Sequence, residues 1–332
     1  MHHEWIGEPP QTKLEVFEEE VKSILSQNNS PDLGFRYSLN PYRGCMHACA
    51  YCYARPSHQY WGFGAGTDFE TKIVVKVNAP EKLYETFMKP SWRGDWIVVS
   101  GNTDCYQPLE ASYKLTRRCL EICDTFRNPV ALITKSALIQ RDVDVLANLS
   151  RNTFCHVSMS IAFSDDKMAR KIEPTAPSPS ARFKAMRVLS EAGVPMGVGV
   201  APIIPGLNDD QIPEILERAK ENGATSAFRT LLRLAAEVKP VFIERLQESF
   251  PDRTSKVLNA VRQVRGGKLY QSDFHKRMEG SGERWKVIEQ LFDITCHKLG
   301  LNSQDEDPEP NTVSFQSTPF RRPGQQLRLL GI

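Results

Sequence analysis

Three cysteines within eight residues give this 332-residue chain its most chemically suggestive feature. In NPYRGCMHACAYCYAR, residues 40–55, Cys45, Cys49 and Cys52 follow the spacing C-x3-C-x2-C. Thiolates from one short loop can hold three irons of a cubane cluster. The fourth iron is then open to another molecule, much as catalytic zinc keeps an open position. Other arrangements use the same residues. His47 can complete a Cys3His zinc site, although it lies between two of the ligands at an awkward spacing. A plain electron-transfer cluster takes four cysteines, and no fourth is near in sequence. Unligated core thiols are the remaining reading, which a loop flanked by glycine and aromatics does not favour.

In chains of repeated βα units, chemistry gathers at the C-terminal ends of the strands. Polar residues that follow apolar runs are therefore the next candidates. Thr103 and Asp104 come after the run Trp96–Ser100, and Thr134 and Lys135 close the run Val130–Thr134. Ser158 and Ser160 share one face of Cys155–Ser160 by the period of two. Arg229 lies in Ser226–Thr230. Each also has a plainer role open to it: a helix cap, a solvated lysine, a small core hydroxyl, a salt bridge. Cys105 and Tyr60 are candidates to touch a substrate, Cys105 as a hydrogen-atom donor beside Asp104. Tyr60 belongs to HQYWGFGAG, residues 58–66, a lid over the cysteines or, through Tyr60, Trp61 and Phe63, a stacking surface for a base. Its glycines do not open a helix after a strand, so it is no dinucleotide fingerprint. The stretch around Tyr270, Phe274, His275, Lys276 and Arg277 mixes aromatics with cations and can meet phosphate or simply solvent. Cys119 and Cys123 fall on an apolar helical stripe, and Cys155 and Cys296 read as ordinary buried thiols.

The elements that must position these groups alternate. Apolar runs at Arg36–Leu39, Trp96–Ser100, Val130–Thr134, Cys155–Ser160, Pro195–Ala201 and Ser226–Thr230 read as strands, with TKIVVKV at 71–77 and LEVF at 14–17 as extras. Leu115, Cys119, Ile122, Cys123 and Phe126, and then Ile212, Ile215, Leu216 and Ala219, recur at helical spacing. Gly193 and Gly223 stand where C-terminal caps belong. Repeated βα units predict a parallel sheet, either open and doubly wound or a partial barrel. Four segments are expected: a lead-in over 1–35, the alternating unit over 36–235, a helical extension over 236–301 and a tail over 302–332. The extension carries helices near 238–249 and 253–264 and a last one bearing Trp285, Ile288, Phe292, Thr295 and Leu299 on one face. The tail, with QDEDPEPN and then TPFRRPG, is expected either disordered or docked back on the protein. With 42 Lys and Arg against 40 Asp and Glu, net charge +2, no basic coat organises the molecule. No run of about 18 apolar residues exists to span a membrane, and MHHEWIGEPP lacks the apolar stretch of a secretory signal. A cytoplasmic, reducing compartment is expected, where clustered cysteines mean metal or catalysis rather than disulfides.

The three-cysteine spacing with Tyr51 just before the last cysteine resembles the radical S-adenosylmethionine (SAM) superfamily. Within it, GCMHACAYCY is similar to the spore photoproduct lyase-like, DNA repair photolyase-related branch. The likeness runs over about residues 36–235 and takes in TDCYQPLE at 103–110, ITKS at 133–136, KIEPTAPSPSAR at 171–182 and VAPIIPG at 200–206.

That resemblance implies an α/β fold, a partial (β/α)6 TIM-like barrel. It implies a [4Fe–4S] cluster on Cys45, Cys49 and Cys52, with SAM on the open iron cleaved to a radical that abstracts hydrogen from an organic substrate. It places Tyr51, Thr103, Asp104, Thr134, Lys135, Ser158, Ser160, Glu173 and Arg229 around SAM, with Asp104 on its ammonium and Lys135 on its carboxylate. An external electron donor of flavodoxin or ferredoxin type and a nucleic-acid lesion or nucleotide as substrate follow from the same likeness. Gly101 and Asn102 stand where the lyase branch carries its hydrogen-donating cysteine, which puts thymine-dimer reversal in doubt. Modification of a peptide or small molecule, or a non-enzymatic zinc or iron–sulfur binding protein, are the rival readings, because fold-level likeness does not transfer substrate.

Overall fold

Short β-branched runs such as Ile97–Val99 and Val130–Thr134 are too apolar to face water on either side, and they assemble as a parallel sheet covered by helices. A computed structural model of the chain describes residues 13–303 and 319–324. The opening ten residues and most of the acidic tail lie outside the described residues. The strands are β1 (Glu15–Glu19), β2 (Leu25–Gln27), β3 (Tyr37–Leu39), β4 (Tyr42–Arg43), β5 (Lys72–Lys76), β6 (Ile97–Val99), β7 (Val130–Thr134), β8 (Cys155–Ser160), β9 (Met196–Ile203) and β10 (Ala224–Leu231). The helices are α1 (Thr67–Thr71), α2 (Ala79–Met88), α3 (Glu110–Tyr113), α4 (Leu115–Phe126), α5 (Val143–Asn152), α6 (Asp166–Ile172), α7 (Pro179–Glu191), α8 (Ile212–Glu221), α9 (Val238–Ser249), α10 (Thr254–Val264) and α11 (Gly282–Leu299).

Seven strands run in the order β10-β9-β8-β7-β6-β3-β2. Six of them, β3 and β6 to β10, are mutually parallel, and β2 lies antiparallel on the β3 edge. Among the described residues no strand joins β10 to β2, so the sheet stays open and this is the expected partial (β/α)6 barrel. A smaller sheet of order β1-β5-β4 stands beside it and braces the segment that leaves β3.

The two faces of the main sheet differ. Ile97, Val99, Val130, Leu132, Val157, Met159, Val198 and Val200 point outward into a core shared with the helices. Inward, Ser158 and Ser160 on β8 stand in register with Gly197 and Gly199 on β9, which pair in turn with Ser226 and Phe228 on β10. A β-carbon on Gly199 would lie 2.5 Å from the Phe228 ring, so glycine lets that ring lean across β9. The helical stripes behave as their spacing predicts: Leu115, Cys119, Cys123 and Phe126 on α4, and Ile212, Ile215, Leu216 and Ala219 on α8, are all buried. Gly193 and Gly223 end α7 and α8 at φ of +82° and +93°.

Residues 55–61 form a 3-10 turn that takes in the first part of the 58–66 segment, with His58 buried between Phe63 and Phe69. Of the two outcomes expected for the tail, its described part, 319–324, shows docking. Phe320 packs on Phe126 and Phe87 at ring-centre distances of 5.9 and 5.8 Å. Arg322 donates to the carbonyls of Phe87, Lys89 and Trp92 at 3.0, 2.6 and 2.8 Å, satisfying groups left open at the end of α2. Phe320→Ala is expected to cost about 1–2 kcal/mol through lost apolar burial and ring packing. Urea unfolding should show a lower midpoint at unchanged slope.

Candidate active site

The cysteine loop follows β3 and the short β4 at the C-terminal mouth of the barrel and is held through its own backbone polar groups, bonded by neighbouring backbone and by two side chains. Gly44 has φ +75°, and a β-carbon there would lie 2.9 and 3.0 Å from the carbonyls of Lys72 and Phe69, so only glycine fits. The Cys45 N–H donates to Phe69 O at 2.9 Å, and the Ala50 N–H to Ile172 O at 3.0 Å. Gln107 donates to Gly44 O at 3.1 Å and accepts the Met46 N–H at 3.1 Å. Arg55, with no exposed surface, donates to Cys49 O (3.0 and 3.1 Å), Ala48 O (3.3 Å), Ala65 O and Gly66 O (both 3.0 Å), and pairs with Glu70.

Cys45 and Cys49 are buried and Cys52 half-buried. Burial, then the Glu173 charge, pushes the Cys49 thiol well up. Burial and the neighbouring Cys45 raise Cys52 to about 11, against the pull of Arg55 and Lys135. Among the described residues no three His, Cys, Asp or Glu side chains converge on one point as the donors of a single ion at about 2.3 Å must. A cubane asks for something else, one thiolate at each of three corners, and three cysteines on one loop, with Arg55 and Lys135 favouring the Cys52 thiolate, fit that donor set. Cys105, Cys119, Cys123, Cys155 and Cys296 are all buried in the main core shared with the helices, so none offers a fourth ligand.

Opposite the loop, the strand ends converge in two charged networks. Asp104 accepts from Thr134 Oγ1 at 2.7 Å, the Lys135 N–H at 2.8 Å and the Tyr106 N–H at 2.9 Å, with His47 Nδ1 at 3.4 Å. Burial would raise its pKa, but His47 and these donors bring it down to about 2. In the second network Lys135 Nζ donates to Ser160 Oγ at 2.7 Å, lies 3.4 Å from Glu173 and stands 5.4 Å from the Tyr51 ring centre. Glu173 also accepts from Tyr51 Oη and pairs with the fully buried Arg182. Here too burial opposes ionisation, and Arg182 and Lys135 overcome it to leave Glu173 at about 2.

The structure thus brings Cys45, Cys49, Cys52, Tyr51, Asp104, Thr134, Lys135, Ser160 and Glu173 together at one mouth. Ser158 lies one layer deeper, facing the hollow beside Gly197. Thr103 is buried behind the mouth, donating to Tyr42 O at 2.7 Å. Three candidates are not brought there. Arg229 sits on the outer face of β10, where Asp293 and Glu289 of α11 hold it at 2.8 and 3.1 Å. Tyr60 projects from the 3-10 turn with 89% of its surface exposed. Cys105 turns away into the core, 1% exposed, because Ser100 and Thr116 bind its backbone. Arg277, offered as a phosphate contact, is occupied by Asp32 at 2.6 Å. Sequence reasoning missed Arg55, Arg182 and Tyr53. Arginines inside otherwise apolar or glycine-rich stretches were the available signal, since an arginine there must find partners.

Two substitutions test this account. Glu173→Gln leaves Arg182 buried without its counter-charge and is expected to cost about 3–5 kcal/mol at pH 7. A depressed folded pKa gives stability that is present above the unfolded value near 4.5 and lost as pH falls through about 2. The gap between wild type and variant should therefore close across that window in acid unfolding curves. Gly44→Ala forces a left-handed alanine against two carbonyls, and chemical denaturation should show a loss of roughly 1–2 kcal/mol or more.

Comparison with known proteins places this geometry. Residues 39–219 match the Radical SAM superfamily. An uncharacterized protein of Mycobacterium tuberculosis (strain H37Rv) is 34% identical over 238 residues, 71% of this chain and 70% of that one. One of Methanocaldococcus jannaschii is 32% identical over 198 residues, covering 60% of this chain and 71% of the other. Among solved structures, a spore photoproduct lyase variant with bound AdoMet and dinucleoside spore photoproduct superposes with a TM-score of 0.63. That likeness covers 86% of this chain and 80% of the lyase at 15% identity, and it is a likeness of fold. With over half of its length inside the family match, the chain belongs to the radical SAM superfamily, enzymes that use a [4Fe–4S] cluster and SAM.

Proposed function

We propose that Cys45, Cys49 and Cys52 hold the [4Fe–4S] cluster and that the strand-end network around Lys135 and Ser160 receives SAM. The observation that carries this is the placement of three cysteines on one loop clamped by Arg55, with Lys135 over the Tyr51 ring and Glu173 bound to the Tyr51 hydroxyl. Bound there, cluster and SAM supply a 5′-deoxyadenosyl radical for hydrogen abstraction. The Lys135 ammonium, presented by Ser160 and the Ala201 carbonyl, offers the cation for the SAM carboxylate. Glu173 and Arg182 fix Tyr51 and so the pitch of the loop. Asp104 already accepts from three donors and faces His47, which makes it a positioning residue that holds Lys135 by its backbone. An external donor of flavodoxin or ferredoxin type reaches the cluster from the half-buried Cys52 side. Free thiols throughout the described chain suit a cytoplasmic, reducing compartment, and no described helix is long and apolar enough to cross a membrane.

For substrate we take a nucleotide or nucleic-acid lesion, supported by the fold shared with a lyase solved with a dinucleoside photoproduct. The net charge of +2 favours a small piece over a long duplex, whose binding draws on many phosphate contacts. Modification of a peptide or small molecule is the second reading, and Gly101 and Asn102, which supply no thiol, favour it over thymine-dimer reversal.

The test is anaerobic reconstitution with iron and sulfide, then SAM and dithionite, with 5′-deoxyadenosine quantified. Wild type should be brown and form 5′-deoxyadenosine; Cys52→Ala should lose essentially all of it. Zinc in place of iron, or equal product from the variant, overturns the assignment.

A further inference from the structure

Arg233 stands two residues beyond the end of β10, with its guanidinium carbon 5.6 Å from the ring centre of Tyr53, the residue after Cys52. Tyr53 donates its hydroxyl to Gly101 O, just past β6, at 3.0 Å. The pair therefore spans the barrel mouth from the end of β6 to the end of β10, and Tyr53 is still 49% exposed. Arg182, Arg229 and Arg277 each sit against an acid, Glu173, Asp293 and Asp32 in turn. Among the described residues no carboxylate pairs with Arg233. Its Nη1 meets Met278 Sδ at 3.7 Å, and its Nε is buried without a partner.

A second cation stands behind it. Arg265 spends its Nη1 and Nη2 on the carbonyls of Leu232, Lys276, Arg277 and Glu279 at 2.9, 2.9, 3.0 and 2.7 Å, holding the 266–281 segment, while its Nε is buried without a partner. Burial and the Arg233 charge bring Arg265 down to about 10. The Arg233 charge is thus felt by Arg265, and among the described residues the Arg233 fork meets no oxygen, only the Met278 sulfur. A planar guanidinium in that setting is complementary to an oxyanion, bound through two parallel hydrogen bonds. Lys135 cannot serve the same group, since Ser160, Glu173 and the Ala201 carbonyl hold it on the other side of Tyr51 at the ends of β7 and β8.

We propose that Arg233, backed by the Tyr53 ring, anchors an oxyanion of the substrate, so that the molecule losing hydrogen carries a phosphate or a carboxylate. This rests on the radical SAM site being where the preceding section puts it. Tyr53 offers an apolar face next to the fork, so the remainder of the substrate lies against the ring.

The experiment uses reconstituted holoenzyme saturated with SAM, without reductant, titrated calorimetrically with four probes: uridine 5′-monophosphate, uridine, orotate and uracil. Wild type should bind the monophosphate over uridine, or orotate over uracil, by about tenfold or more, the worth of a charge-assisted pair. The first preference names phosphate as the anion and the second carboxylate. Arg233→Gln should abolish the preference, and Arg233→Lys, which keeps the charge and loses the fork, should restore part of it. Wild type that forms 5′-deoxyadenosine under reductant yet shows no oxyanion preference overturns the anchor and leaves the radical site standing. A preference that survives in Arg233→Gln overturns it as well. So does a loss of SAM affinity in that variant equal to the loss of preference, because the guanidinium then serves the cofactor. Wild type that takes up no iron fails at the earlier step and removes the ground beneath both.

Discussion

A guanidinium with no exposed surface holds the cysteine loop in shape, and most of the site depends on it. Arg55 sits three residues beyond Cys52 and returns to the carbonyls of Ala48 and Cys49, then reaches across to Ala65 and Gly66. The segment that brings Cys45, Cys49 and Cys52 to the mouth forms neither helix nor strand, so its carbonyls have no ladder to join. Buried carbonyls left unpaired would each cost free energy comparable to a lost hydrogen bond. One side chain with five donors satisfies several at once, while Glu70 and the face of Phe69 take up its charge. The thiols then emerge from a rigid base.

The opposite wall is built on the same logic with signs reversed. Glu173 and Asp104 are buried carboxylates that remain ionised because arginine, lysine, histidine and backbone N–H groups surround them. Each ties a different element to the mouth: Asp104 joins the segment after β6 to the end of β7, and Glu173 joins α6 to Tyr51 and α7. Ion pairs of this kind add little net stability compared with apolar packing, but they resist rearrangement because removing one partner strands the other. That suits a site whose geometry must not drift.

Much of this was legible in the residues. The strands at Val130–Thr134 and Cys155–Ser160 begin and end where their apolar runs do, and α4 and α8 follow their stripes, because burial on one face imposes a strict period. The cysteine spacing was equally plain. What could not be read was direction. Arg229 and Arg233 lie four residues apart around the end of one strand, yet one faces the acids of α11 and the other the mouth. Cys105 follows Asp104 in sequence but points the other way, into the core. Such outcomes depend on strand register and on which helix arrives behind, which a linear pattern does not encode. Arg55 and Arg182 were overlooked because a lone arginine reads as surface until its partners are seen.

The docked segment has a consequence for the order in which the fold assembles. Phe87 and Phe126, the rings that seat Phe320, leave the ribosome long before Phe320 and Arg322 do. Domains fold as they emerge, so the open end of α2 and its aromatic neighbours wait uncovered until that segment arrives. A chain that stops short of Phe320 therefore carries an aromatic surface that Phe320 and Arg322 otherwise cover.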